Sequence, residues 1–133
     1  MVNSFHKGKR GELEAVSLLI KHFGKGFRRK RLGTPGSDIE TPYEFPWSVE
    51  AKNVKAVKLK HLFRPTAEFL SYWQQAKRQA QAEGKKPLLI IKIESIWFAC
   101  VEFDYKTQRD YITVNSEIMV RRFHDFGELH RAK

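Results

Sequence analysis

One cysteine stands in a chain of 133 residues, so no internal disulfide can staple the fold. Cys100 lies in the apolar run Ile96-Trp97-Phe98-Ala99-Cys100-Val101, which reads as a buried thiol in a reducing compartment. Long hydrophobic runs are missing too: that run and Pro87 to Ile91 have the length of strands and not of a membrane span. Met1 to Arg10 carries charge with no apolar stretch of the leader type after it, so no secretory signal is expected. The chain lacks a Gly-x-x-x-x-Gly-Lys-Ser/Thr loop, which argues against a nucleotide cofactor. The five histidines (His6, His22, His61, His124 and His130) show no metal-ligand pairing, and a lone buried cysteine is a poor nucleophile. Acidic residues are scarce, 15 Asp and Glu against 25 Lys and Arg, for a net charge of +10 and a pI near 9.9. That imbalance asks for a polyanionic partner, nucleic acid before an anionic membrane. The expectation is a soluble, cytoplasmic protein.

With 41% apolar and 13% aromatic residues, there is enough material for a real core. No internal repeat or low-complexity linker appears, and residues 1–133 read as a single domain. Gly11 to Phe23 patterns as a helix, with Leu13, Val16, Leu19, Ile20 and Phe23 on one face and Gly24 stopping it. Phe27 to Leu32 is a candidate strand, followed by turn chemistry at Gly33-Thr34-Pro35-Gly36. Two more strands are expected around Asp38 to Thr41 and Trp47 to Asn53, then a helix over Pro65 to Glu83 ended by Gly84. That helix places Phe69, Trp73, Ala76 and Ala80 on one face. Leu88 to Ile93 and Trp97 to Phe103 read as strands, Tyr111 to Val114 as an edge strand, and Phe123, Phe126 and Leu129 as a short last helix. The fold class this predicts is α/β, a central mixed five-stranded sheet with flanking helices, its core running αβββαβ.

Chemistry concentrates in Asp38 and in Glu50-Ala51-Lys52. Alternation along a strand sends Glu50 and Lys52 to one side, and Val49 and Ala51 to the other. If the strands of Asp38 and Glu50 pair, two carboxylates and an ammonium share one small pocket. Carboxylate oxygens suit a hard divalent cation, and a neighbouring lysine can orient or deprotonate an attacking water. Glu12 falls inside the apolar face of the first helix, between Leu19 and Phe23 on the wheel, where a carboxylate needs a cation or hydrogen bonds to offset its burial. A glutamate stabilised by first-turn amides would look the same from position alone. Beside Asp38 and Glu50, a third metal ligand is the better reading. Glu14 points the other way, near Lys21.

Gly36-Ser37-Asp38 followed by Val49-Glu50-Ala51-Lys52 resembles the metal site of the restriction-endonuclease-like nucleases with an Asp…Glu-x-Lys signature. The wider order adds Lys9-Arg10-Gly11-Glu12 opening a helix, a basic strand at Arg28-Arg29, Gln75-Ala76, and Gly84-Lys85-Lys86-Pro87. Over about residues 7 to 103 it is similar to archaeal-type and phage Holliday junction resolvases. The resemblance implies Glu12, Asp38 and Glu50 as Mg²⁺ ligands, with Mn²⁺ as a substitute, and Lys52 as the catalytic lysine. Gln75 would be an auxiliary polar residue, although periodicity places neither Gln74 nor Gln75 in a site. The proline usual directly before the aspartate is absent: Ser37 stands there, with Pro35 upstream.

Residues 1–31 hold nine Lys and Arg against Glu12 and Glu14 alone. Lys7, Lys9, Arg10, Arg28, Arg29, Lys30 and Arg31, with Lys55 and Lys58 after the Glu-x-Lys strand, form the expected DNA-binding track; Lys60 and Arg64 would extend it. Phosphate contacts of this kind read shape more than base identity. The function expected is resolution of branched DNA by a homodimer making paired cuts. The alternatives are an endonuclease on linear or mismatched duplex, and a non-catalytic nucleic-acid-binding module on the same fold.

Overall fold

Alternation along the strand Trp47–Asn53 (β3) decides which way the chemistry faces. In the computed structural model, which describes residues 4–30 and 38–131 with side chains from Arg10 onward, β3 is the terminal strand of a five-stranded sheet. The other members are β4 (Lys86–Ile93), β5 (Ile96–Glu102), β6 (Ile112–Val114) and β7 (Ile118–Arg122), in the spatial order β3-β4-β5-β7-β6. The sheet is mixed: β3 and β4 run parallel, and every other neighbour is antiparallel.

Odd positions of β3 and their neighbours face one layer. Val49, Ala51, Leu88, Ile90, Ala99, Val101 and Met119 pack there against Ala15, Val16 and Leu19 of helix α1 (Ser4–Phe23) and Phe123 and Phe126 of α3 (Phe123–His130). The opposite face presents Leu89, Ile91, Phe98, Cys100, Ile118 and Val120 to Phe69, Trp73 and Ala76 of α2 (Ala67–Glu83). The α/β expectation with a mixed five-stranded sheet between helices is therefore what the chain forms. Helix α2 provides the crossover that parallel strands require. Thr66 Oγ1 caps its start by accepting from Phe69 N at 3.2 Å, and Gly84, left-handed at φ 67°, ends it.

Several expectations change. Helix α1 begins at Ser4 rather than Gly11, and its buried stripe is rotated: Ala15, Val16 and Leu19 go inside while Leu13 and Ile20 stay 47% and 43% exposed. The sheet partner of β2 (Ile39–Glu40) is β1 (Arg28–Arg29), in a separate two-stranded antiparallel ribbon, so Asp38 does not meet Glu50 across a ladder. The five-stranded sheet is completed instead by β7, a strand not anticipated. It returns from β6 through Asn115 and Ser116, both at positive φ. Glu94 and Ser95, also at positive φ, form the two-residue turn between β4 and β5, as the twist of a tight hairpin demands. Leu129 is 59% exposed, so of the three apolar residues expected on α3 Phe123 and Phe126 are the buried ones. The turn residues 33–36, with Ser37, lie outside the described residues.

One glycine sets how closely α1 approaches the sheet. A Cβ on Gly11 would stand 2.7 Å from Asn53 Cβ at the end of β3. Gly11→Ala is accordingly expected to push α1 off the edge of β3 and lower stability by about 1–3 kcal/mol. A thermal melt would register this as a fall in Tm of several degrees, and an unchanged Tm would show that the helix shifts without cost.

Candidate active site

The end position of β3 in the sheet lets groups from three other directions reach its outer edge. Ribbon strand β2 lies against β3, and α1 passes beside it at Gly11. Lys30 N donates to Asp38 O at 2.9 Å, which extends the β1–β2 pairing by one bond and holds Asp38 in place. From the α2 side, Gln75 Nε2 donates to Glu50 Oε1 at 3.3 Å.

Glu50 is the buried centre, with 1% of its surface exposed. Burial, and then Asp38 through a hydrogen bond and like charge, push its pKa up to about 8. Lys52 opposes this: its Nζ lies 3.6 Å from Glu50 Oε1. Among the described residues, Glu50 Oε2 is buried and finds no donor. When ionised, this group has a second carboxylate as neighbour and one oxygen unanswered, an arrangement that costs several kcal/mol without a proton or a cation. Lys52 also stands over the Tyr72 ring, 5.1 Å from its centroid. Tyr72 OH in turn donates to Glu68 Oε1 at 2.5 Å, and burial and Glu68 push its pKa up to about 12, so the phenol stays neutral.

Glu12 joins this group from α1. Its carboxyl is raised by burial and by the charge of Asp38, while Arg29, 3.5 Å away, and Lys52 lower it. The structure thus brings Glu12, Asp38, Glu50, Lys52 and Gln75 into one electrostatic cluster. Among the described residues, no three His, Cys, Asp or Glu side chains already form a closed ligand set. Arg29 and Lys52 neutralise part of the charge instead. The donor chemistry nevertheless fits a hard divalent cation: several carboxylate oxygens, one of them buried with no donor among the described residues.

The basic track divides. Arg10, Lys55 and Lys58 are exposed. Arg28 is held by Glu40 on the outside of the ribbon. Arg29 turns inward to Glu12 and belongs to the site more than to the surface. Lys30 is half-buried. Arg31 and the side chains of Lys7 and Lys9 lie outside what is described. Glu14 faces Lys92 and Trp97 rather than Lys21, accepting from Lys92 Nζ and Trp97 Nε1, each at 2.9 Å. Tyr72 was not anticipated. Its position three residues before Gln75 on α2, hence on the same helical side, is the signal that could have found it.

A sheet whose edge gathers acidic groups and a lysine in this order defines the class of Asp…Glu-x-Lys nucleases. The sequence model of the family described as "Phage putative PDDEXK endonuclease" matches residues 3–128, and the chain belongs to that family. PDDEXK nucleases generally use divalent metals. No curated protein and no solved structure matches the chain significantly. No helix among the described residues is long and apolar enough to cross a membrane.

Proposed function

We propose that this nuclease cuts branched DNA, most directly four-way junctions, by paired hydrolysis of opposed strands. The observation that carries the reading is Glu50, buried beside Asp38 and within reach of Lys52 in a chain of net charge +10. Asp38 and Glu50 would hold Mg²⁺ or Mn²⁺, with Glu12 completing the set. A divalent ion there would acidify the attacking water and offset charge on the scissile phosphate. Lys52 would donate to the water or to a phosphate oxygen as charge develops, a role that needs its amine held in place, as Tyr72 and Glu50 hold it. Gln75 orients Glu50, and Arg29 restrains Glu12.

The preference for junctions over linear duplex is supported by the resemblance over residues 7 to 103; the exposed cations would engage the phosphates of either substrate. Two symmetric cuts call for a twofold homodimer, acting inside the cell. The decisive assay compares a synthetic four-way junction, a flap and a linear duplex, each with and without divalent ion. Paired, metal-dependent cuts confined to the junction are expected. Asp38→Asn should lower cleavage by at least about 10²-fold while binding stays equal or tightens, because one negative charge near the phosphates is gone. Cleavage of the linear duplex at the same rate would replace the junction reading, and wild-type cutting by Asp38→Asn would remove Asp38 from the mechanism.

A further inference from the structure

Six residues beyond β3, the chain makes a short 3-10 turn, Leu59–Leu62, that presents an aromatic ring to water. Phe63 is 72% exposed. The turn is firmly held: Val57 and Leu62 are buried at 1% and 0%, and Phe63 N and Arg64 N both donate to Lys60 O, at 3.1 and 2.9 Å. Lys58 N donates to His61 Nδ1 at 2.9 Å, and Leu59 N donates to Glu94 Oε2 at 3.1 Å, pinning the turn to the β4–β5 hairpin. Around Phe63 the sequence from Ala51 to Ala67 contains no acidic residue, and Lys55, Lys58, Lys60 and Arg64 are all exposed.

The anchoring is done by Val57 and Leu62, so the neighbouring ring contributes little to holding the turn. A phenylalanine offers no hydrogen-bonding group to read a base edge; what it offers is a flat face. Set among cations, it fits a nucleic acid whose backbone the lysines and Arg64 engage and whose base face is open. Bases within an intact duplex are covered by their neighbours, whereas a branch point or an unpaired position leaves one uncovered. We propose that Phe63 stacks on a base exposed at the branch of the DNA substrate, and so discriminates branched from continuous duplex. This rests on the reading that DNA is the substrate, and it does not require that the chain cut it.

The test uses the full chain in metal-free buffer, where no cutting interferes, with fluorescence anisotropy on a four-way junction and on a linear duplex of the same arm sequences. Phe63→Ala and Phe63→Leu should each weaken junction binding about tenfold and duplex binding no more than about twofold, while Phe63→Trp keeps wild-type affinity for both. A 2-aminopurine at the branch should be quenched by wild type and Phe63→Trp, and not by the Ala and Leu variants. Because the ring is exposed, all three should melt with wild type. Junction affinity unchanged in Phe63→Ala and Phe63→Leu, or equal loss on duplex, would overturn the proposal. So would a change of oligomeric state in sedimentation with DNA binding intact, which would make the ring a contact between copies. A wild-type chain that nicks nothing while Phe63→Ala still loses junction affinity would sink hydrolysis alone. Full junction cleavage and binding by Phe63→Ala would sink stacking alone.

Discussion

Glu50→Gln is expected to stabilise the metal-free protein at alkaline pH and to eliminate hydrolysis. The two effects have one origin. Glu50 is buried next to Asp38, and its pKa stands at about 8 against an ordinary value of 4.5. The folded protein therefore holds a proton that the unfolded chain gives up between those values. The stabilisation from that proton is fully present below about pH 4.5 and is lost as pH rises through about 8. By pH 9 the loss is on the order of a few kcal/mol. A glutamine imitates the protonated acid at every pH, so the variant should melt about 5 °C or more above wild type at pH 9 and match it near pH 4. Adding Mg²⁺ should raise the wild-type Tm at pH 8–9 and leave the variant unmoved, because binding the ion requires the carboxylate that only wild type can form. A wild-type Tm that stays flat from pH 5 to pH 9 without metal would mean that Glu50 is solvated in solution. In that case the strained acid at the centre of the site does not exist.

How much of this was legible in the sequence depends on the kind of order involved. Strand β3 was readable to the residue, because alternation of Val49 and Ala51 with Glu50 and Lys52 is local. The α2 stripe of Phe69, Trp73, Ala76 and Ala80 was readable for the same reason, and all four are buried. The partner of β2 was not, since pairing between distant segments leaves no mark in periodicity; Asp38 arrives beside Glu50 from an independent ribbon and not across a ladder. Strand β7 escaped because Ile118, Met119 and Val120 are all buried and give no alternation over so short a run. Leu13 and Ile20 misled the reading of α1: hydropathy ranks them with the core, but Gly11 is what meets β3, and that contact turns the helix so that they face out. Gln75 shows the converse limit. Apolar spacing predicts which side chains pack into hydrocarbon, and says nothing of one that reaches past the stripe to a buried carboxylate.

Lys52→Met should cost cleavage at least about 10²-fold, and neither higher pH nor more metal should restore it. The ammonium does two things in this geometry. Its own donor function disappears with the substitution, and no pH restores it. Its positive charge, 3.6 Å from Glu50 Oε1, also holds the Glu50 pKa down, opposing burial and Asp38. Without it Glu50 holds a proton more tightly, but the same charge repels a divalent ion about twice as strongly as a proton, so its removal favours the ion over the proton. Metal affinity measured by calorimetry at pH 7 should therefore rise in Lys52→Met while cleavage stays low, which separates the lost donor from the lost charge. Lys52→Arg separates the contributions further: it keeps the charge and hence the metal affinity at pH 7, but places a planar donor where a compact ammonium fits over Tyr72. If Lys52→Met binds Mg²⁺ at pH 7 as tightly as wild type, the coupling between the amine and Glu50 is absent and Lys52 acts on the substrate alone.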